Sequence, residues 1–415
     1  MAGVSAHRTS RRTFLAGASA LALVRQSFSR GLERSDVGRE AYDLDESVTY
    51  LNHASIGTIP RSVREAHARY LEVCETNPWL YVWGGAWSEA FDEAHAAAAG
   101  VLGVTEDRVA VIRNTTAAFG MAANGLPLGA GHEVLFSSLN HTGASASWTS
   151  AAEARGFTVR RFEFPEDDVP SLSREDVTRA HLDAIRDETE VMVLPHIDNV
   201  FGVRHDIGAI ARGARERGVR WVLADGAQSI GMHEVDVDAS GVDVYATSAH
   251  KWLQAPKGTG LMALSDAALG AMRPMVTSWG KGRWEGTARA FTDFGTRDLA
   301  KVLALGDAIA FHARTGAGRE AHYADLRGAL LARIEDDARL ELRSPRTYAD
   351  GGSLVAVGLR KGTARFAASA LFERHGVVVR GFERDGRHHL RVSPNRSEGP
   401  KDLDRFVAAL DDVLG

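Results

Sequence analysis

Thr247-Ser248-Ala249-His250-Lys251-Trp252 follows the apolar run Val242-Asp243-Val244-Tyr245-Ala246, so a lysine stands just past what reads as a buried strand. A single lysine is ordinarily a solvated surface charge. Upstream, Val222-Leu223-Ala224-Asp225-Gly226-Ala227-Gln228 is a second apolar run, and it stops at an acid. An amine and a carboxylate set at strand ends can act as nucleophile and electrostatic partner. The Asp-x-x-Gln and Ser-x-His-Lys pair, in this order and spacing, points to a lysine held for chemistry.

Outward from this pair the chain alternates between strand-like and helix-like segments. Residues 108–113, 132–137, 157–164, 190–194 and 221–224 read as strands. Residues 116–124, 145–155, 174–186 and 207–217 read as helices between them. Strands separated by helical stretches of about 10 to 15 residues imply a largely parallel sheet covered on both faces. Beyond about residue 300 a long helical run precedes strands at 354–359, 377–380 and 390–392, with a helix ending near His375. The expected organisation is a leader and linker at 1–40, a large α/β domain at 41–300 and a smaller α+β domain at 301–415.

The 415 residues are 44% hydrophobic and 25% charged, ordinary values for a globular enzyme. A net charge of −5 argues against nucleic acid as a partner. No apolar run approaches the roughly 18 residues that span a bilayer, so stable membrane insertion is not expected. Ser10-Arg11-Arg12-Thr13-Phe14-Leu15, with a mild apolar stretch through Val24, resembles a twin-arginine export leader. That resemblance implies the twin-arginine translocation machinery as a partner and a periplasmic or extracellular destination. The alternative is a disordered basic tail on a cytoplasmic protein, and no Ala-x-Ala cleavage site follows. Cys74, the one cysteine, excludes an intrachain disulfide and reads as a structural thiol on a helix.

Three further segments sit where strands give way to helices or turns. Asn114-Thr115-Thr116 opens a helix, where backbone N–H groups and hydroxyls bind phosphate; simple capping explains the same residues. Asn140-His141 ends a strand, and a histidine there can stack on a flat ring or shuttle a proton, or be merely exposed. Asp198-Asn199-Val200-Phe201-Gly202 ends the next strand, offering an amide to a ligand or forming a plain turn.

Together these segments resemble the class V aminotransferase family, which includes isopenicillin N epimerases, cysteine desulfurases, selenocysteine lyases and kynureninases. The likeness runs from about Tyr50 to the C-terminus and lies nearest the epimerase-like branch. It implies a fold-type-I, pyridoxal 5′-phosphate-dependent enzyme, with a mostly parallel seven-stranded sheet and a smaller C-terminal α+β domain. By this resemblance Lys251 links to the cofactor aldehyde and Asp225 holds the proton on the pyridine nitrogen. Gln228 contacts the phenolic oxygen, His141 stacks on the ring and Asn199 corresponds to the family's strand-end, cofactor-binding asparagine. Thr115, Thr116, Ser248 and His250 correspond to phosphate ligands. Thr296, in Gly295-Thr296-Arg297-Asp298, matches a segment that reaches a neighbouring subunit's phosphate, implying a homodimer with shared sites. Asn52 and His53 match the segment over the substrate entrance. Arg391 or Arg380 would hold the substrate carboxylate.

The family's chemistry begins at the substrate Cα, with His141, Asp225 and Lys251 as the catalytic set. Epimerisation, transamination, carbon–sulfur cleavage and oxidation all remain open, on an amino acid or an amino-acid-bearing metabolite. An exported enzyme tailoring a siderophore or peptide is one such possibility. Desulfurases carry a nucleophilic cysteine between the positions of Arg380 and Arg391, and Gly381 to His389 contains none. Trp79 to Trp83 and Trp279 to Trp284 are expected to wall the substrate site.

Overall fold

The computed structural model describes residues 38–415, apart from 279–280, 293–294 and 317. The expected leader and Trp279 therefore lie outside the described residues. A two-residue strand, β1 (Thr49–Tyr50), precedes seven strands that form the large sheet. These are β2 (Val109–Ile112), β3 (Glu133–Ser137), β4 (Thr158–Phe162), β5 (Thr189–Pro195), β6 (Trp221–Asp225), β7 (Val244–Thr247) and β8 (Gly260–Leu264). Their spatial order is β2-β8-β7-β6-β5-β3-β4. All neighbours run parallel except β8, which is antiparallel to both β2 and β7.

The near-continuous apolar runs follow from burial on both faces. Along β6, Val222 and Ala224 join one core while Trp221 and Leu223 join the other. Leu223 is fully buried, so truncating it to Ala would cost about 2–5 kcal/mol.

The smaller unit holds β9 (Leu340–Leu342), β10 (Val355–Leu359), β11 (Val377–Val378), β12 (Arg380–Arg384) and β13 (Arg387–Val392). Four of them make the antiparallel order β12-β13-β10-β9, while β11 pairs in parallel with β1. Its core comes from this sheet and the helices Gly318–Ile334, Ala364–His375 and Pro400–Leu414, with Leu51 added from the N-terminal segment.

Two features differ from the sequence reading. The break expected near residue 300 falls at the start of the helix Leu299–Thr315, whose Val302, Leu305 and Ala308 pack in the core of the large sheet. The strand β8 went unread because Gly-Leu-Met-Ala-Leu, buried throughout, has no alternation to separate it from a core helix turn. Among the described residues no helix is long and apolar enough to cross a membrane.

Candidate active site

Parallel neighbours deliver their C-terminal ends to one edge of a sheet, where open α/β folds place ligands. Here β3, β5, β6 and β7 end beside a cleft of about 510 Å³. Asp225, the last residue of β6, is buried on its wall and takes the Ala227 N–H at 3.0 Å. Burial pushes its carboxyl above the usual range, although the Ala227 N–H and the Lys251 charge favour the ionised form. Lys251, in the turn after β7, lines the same cleft. Burial lowers its ammonium to about 8; Asp225 acts against this drop and Arg391 adds to it.

His141 caps the helix Thr142–Arg155, its Nδ1 accepting the Gly143 N–H at 3.0 Å. The ring is therefore neutral with its proton on Nε2, and burial followed by the Lys251 charge holds its pKa down. A Cβ on Gly143 would meet Thr116 Oγ1 at 2.8 Å and His141 Nδ1 at 2.9 Å, so glycine leaves room for both side chains beside the cleft.

At the other end stands the helix Thr115–Gly125, capped by Asn114 Oδ1, which accepts the Ala117 N–H. Ser248 Oγ accepts the Thr115 N–H at 3.1 Å and lies 2.8 Å from Thr115 Oγ1. His250 donates from Nδ1 to the Thr259 carbonyl at 3.2 Å. Thr115, Thr116, Ser248 and His250 thus surround a helix start whose N–H groups suit a phosphate.

Gln228 accepts the Trp252 Nε1–H at 2.7 Å and donates one Nε2 hydrogen to the Ala54 carbonyl, keeping a second hydrogen. Asn199 rides on a turn built around Asp198, whose carboxylate accepts the N–H groups of Val200, Phe201 and Val203. Arg391 is buried and spends its hydrogens on neutral oxygens, those of the Asn199 carbonyl, Asn52 Oδ1 and Ser55. Its Nε–H has no acceptor within the described protein. Arg380 lines the mouth of the same cleft.

Three expected residues stand elsewhere. Asn52 acts behind Arg391 rather than on the cleft wall. His53 is a correction: its ring is fully buried 2.9 Å from Glu398, joining the N-terminal segment to the C-terminal unit. Thr296 lines a second cavity with Trp83, Trp284, Arg289 and His95, so the expected tryptophan walls belong to that cavity within one chain. Trp79 is largely exposed.

The sequence reading missed Ser55, Phe382 and Arg384, all on the cleft. Arg380, Phe382 and Arg384 share one face of β12, and the period-two spacing after Arg380 was the available signal. Between Arg380 and Arg391 the chain makes a tight hairpin turning at Asp385-Gly386, both with positive φ, the geometry of a type I′ turn. Cys74 is buried in a separate core beside Tyr70 and Trp87.

A phosphate site at a helix start, a lysine with a lowered pKa, a buried carboxylate and a histidine across one cleft form the donor set that pyridoxal phosphate requires. Comparisons agree. Residues 49–398 match the aminotransferase class-V family. The isopenicillin N epimerase of Streptomyces clavuligerus is 29% identical over 391 residues, covering 90% of this chain and 96% of that protein. The cysteine desulfurase of Dickeya dadantii is 26% identical, covering 81% and 82%. Among solved structures, a cystine C–S lyase bound to cysteine persulfide superposes with a TM-score of 0.80 at 20% identity, covering 88% of this chain and 98% of that one. The chain belongs to the aminotransferase class-V family and is a pyridoxal 5′-phosphate-dependent enzyme.

Proposed function

We propose that this enzyme moves a proton at the α-carbon of an amino acid or an amino-acid-bearing metabolite, in the manner of the isopenicillin N epimerases. The observation that carries this reading is a cleft furnished for proton transfer and lacking a thiol. Lys251 and His141 line it, Cys74 lies in another core, and a closed hairpin joins Arg380 to Arg391.

The bound cofactor supplies an electron sink for negative charge at Cα. Asp225 would hold the proton on the cofactor's ring nitrogen, and its burial strengthens such a charge interaction. Lys251, near 8, is basic enough to take the Cα proton and acidic enough to return it close to neutral pH. His141, neutral with its proton on Nε2, would contact the bound cofactor and have that proton to offer. Arg391 fixes the substrate carboxylate. Purified enzyme incubated with candidate amino acids in heavy water, with oxygen uptake followed, tests the reading. Deuterium at Cα with an unchanged skeleton supports it. Ammonia with pyruvate, or oxygen consumption, would replace it with β-elimination or oxidative tailoring.

The same proposal includes a homodimer. Thr296 stands outside its own chain's Lys251 cleft, as a residue serving a partner's cofactor would. Mixing inactive Lys251→Ala and Thr296→Ala chains should restore part of the activity; no recovery would count against shared sites. Export by the twin-arginine route rests on Arg11-Arg12 and the apolar stretch behind them. Changing both arginines to lysine should trap the protein in the cytoplasm, and unchanged export would remove that reading.

A further inference from the structure

The cleft contains more positive charge than one amino-acid carboxylate would balance. Its charged groups partly offset one another: Lys251 faces Asp225, and Arg384 is paired with Glu166, Nε to Oε2 at 2.8 Å. Arg380 and Arg391 remain: among the described residues neither forms a salt bridge, and the one carboxylate whose charge acts on Arg391, Asp198, is committed to three backbone N–H groups of its own turn.

These two arginines are direct partners across β12 and β13, so their side chains rise from the same face of the hairpin. Phe382, two residues along on that face, lies within reach of both charges, with guanidinium carbons 5.7 Å and 5.3 Å from its ring centre. His389, its own cross-strand partner, stacks on the ring at 5.3 Å and fixes its plane. Like charges placed opposite one another destabilise a hairpin. Cation–π contact with Phe382 offsets part of that cost and leaves both charges available to the cleft.

The depths differ. Arg391 is 2% exposed at the cleft floor, whereas Arg380 is open to solvent at its mouth. A carboxylate fits one guanidinium fork, and two forks at two depths call for two anionic groups. The cofactor phosphate does not use them, because the helix start at Thr115 with Ser248 and His250 accounts for it.

We propose that the substrate is dicarboxylic: its α-carboxylate lies on Arg391, its second carboxylate on Arg380, and Phe382 packs against the carbon chain between them. This rests on the reading of the cleft as an amino-acid site, and it narrows the substrate from amino acids in general to acidic ones or their derivatives.

The test uses unreactive probes on the holoenzyme. Dissociation constants are measured by calorimetry for glutarate and adipate and for the monoamide of each. At least one diacid should bind tenfold or more tightly than its monoamide. Arg380→Gln should abolish that preference, weakening the diacid and leaving the monoamide unchanged, and Arg380→Lys should recover part of it. Cofactor absorbance and melting temperature establish that each variant is folded and loaded. Equal binding of diacid and monoamide, a preference that survives Arg380→Gln, or no binding of either probe at millimolar concentration would each overturn the proposal. Since these probes do not react, absent Cα exchange would remove the proton-transfer reading while the diacid preference could stand.

Discussion

The hydroxyl oxygens of Thr115 and Ser248 lie 2.8 Å apart, and Ser248 also accepts the Thr115 N–H. This joins the first turn of the helix after β2 to the turn after β7, which carries Lys251. The proposed phosphate ligands and the lysine are thereby set by one contact. Ser248→Ala removes an acceptor for a buried N–H and a hydroxyl of the proposed phosphate site. Hydrogen bonds to charged groups are worth about 1.5–3 kcal/mol, so cofactor affinity should fall roughly tenfold to a hundredfold while the melting temperature moves little. Dialysis against cofactor-free buffer with residual absorbance as the readout checks it; full retention would show that Ser248 orders the turn only.

Lys251 should confer a pH dependence on cofactor uptake. Its ammonium is lowered to about 8 by burial, against Asp225 and with Arg391. Only the neutral amine attacks an aldehyde, so uptake by the apoenzyme should rise about tenfold per pH unit below 8 and level off above it. Stopped-flow rates between pH 6 and 9.5 measure this. A flat profile would mean that the lysine is already neutral at pH 6.

How far the sequence reveals this site depends on distance along the chain. Lys251, Asp225 and His141 each follow a short apolar run that ends at a polar residue, and that pattern survives without neighbours. The pairing of β1 with β11 joins residues far apart in sequence, so nothing local marks it. His53 shows the same limit: in isolation it resembles an entrance residue, and only its closure on Glu398 makes it structural. Phe382 and Arg384 were within reach, because alternation along β12 puts them on the face of Arg380. The tryptophan segments of the second cavity were named together, but its separation from the Lys251 cleft was not legible, since it gathers segments from residues 81–95 and 283–299.

The His53–Glu398 pair should be a stability element independent of chemistry. Both side chains are fully shielded, and although burial alone would raise the Glu398 carboxyl, His53 and nearby donors hold it below its usual range. Removing one partner from a buried pair costs about 3–5 kcal/mol, so His53→Ala should lower the urea midpoint markedly. Replacing both by leucine should restore part of the loss. Additive losses in the double variant would show that the two residues do not interact.

Buried neutral histidines should make the fold sensitive to acid. Burial lowers His181 to about 4, His196 to about 3 and His233 to about 2, and drives His205 far down beside His181 and His196. A histidine whose folded pKa lies below its unfolded value leaves the unfolded chain holding more protons. Its stabilisation is complete above the unfolded value and is lost as pH falls towards the folded one. Each contributes about 1.4 kcal/mol per pH unit in that window. Asp198 and Asp307, both raised to about 6, act in the opposite direction below that pH. Asp225 is raised as well, but His95, His312 and His389 are also lowered, so the imidazoles outnumber the carboxyls and stability should drop from pH 6.5 to 4.5. Urea titrations across this range test the sign, and a rise in stability would refute it.

Gly57 should be required at its position. Its N–H donates to the His250 carbonyl at 3.0 Å, and a Cβ there would meet the Lys251 carbonyl oxygen at 2.0 Å and the His250 carbonyl oxygen at 2.9 Å. These neighbours are backbone atoms, so relief requires the lysine's own turn to move. A displacement of about 1 Å at a reacting group costs on the order of a hundredfold in rate. Gly57→Ala should therefore lose about that factor in kcat, with the cofactor still bound through the Thr115 helix start. Gly143→Ala, which crowds a hydroxyl and an imidazole able to rotate, should lose less. If Gly57→Ala kept full activity, the turn would be free to shift and the N-terminal segment would not set the position of Lys251.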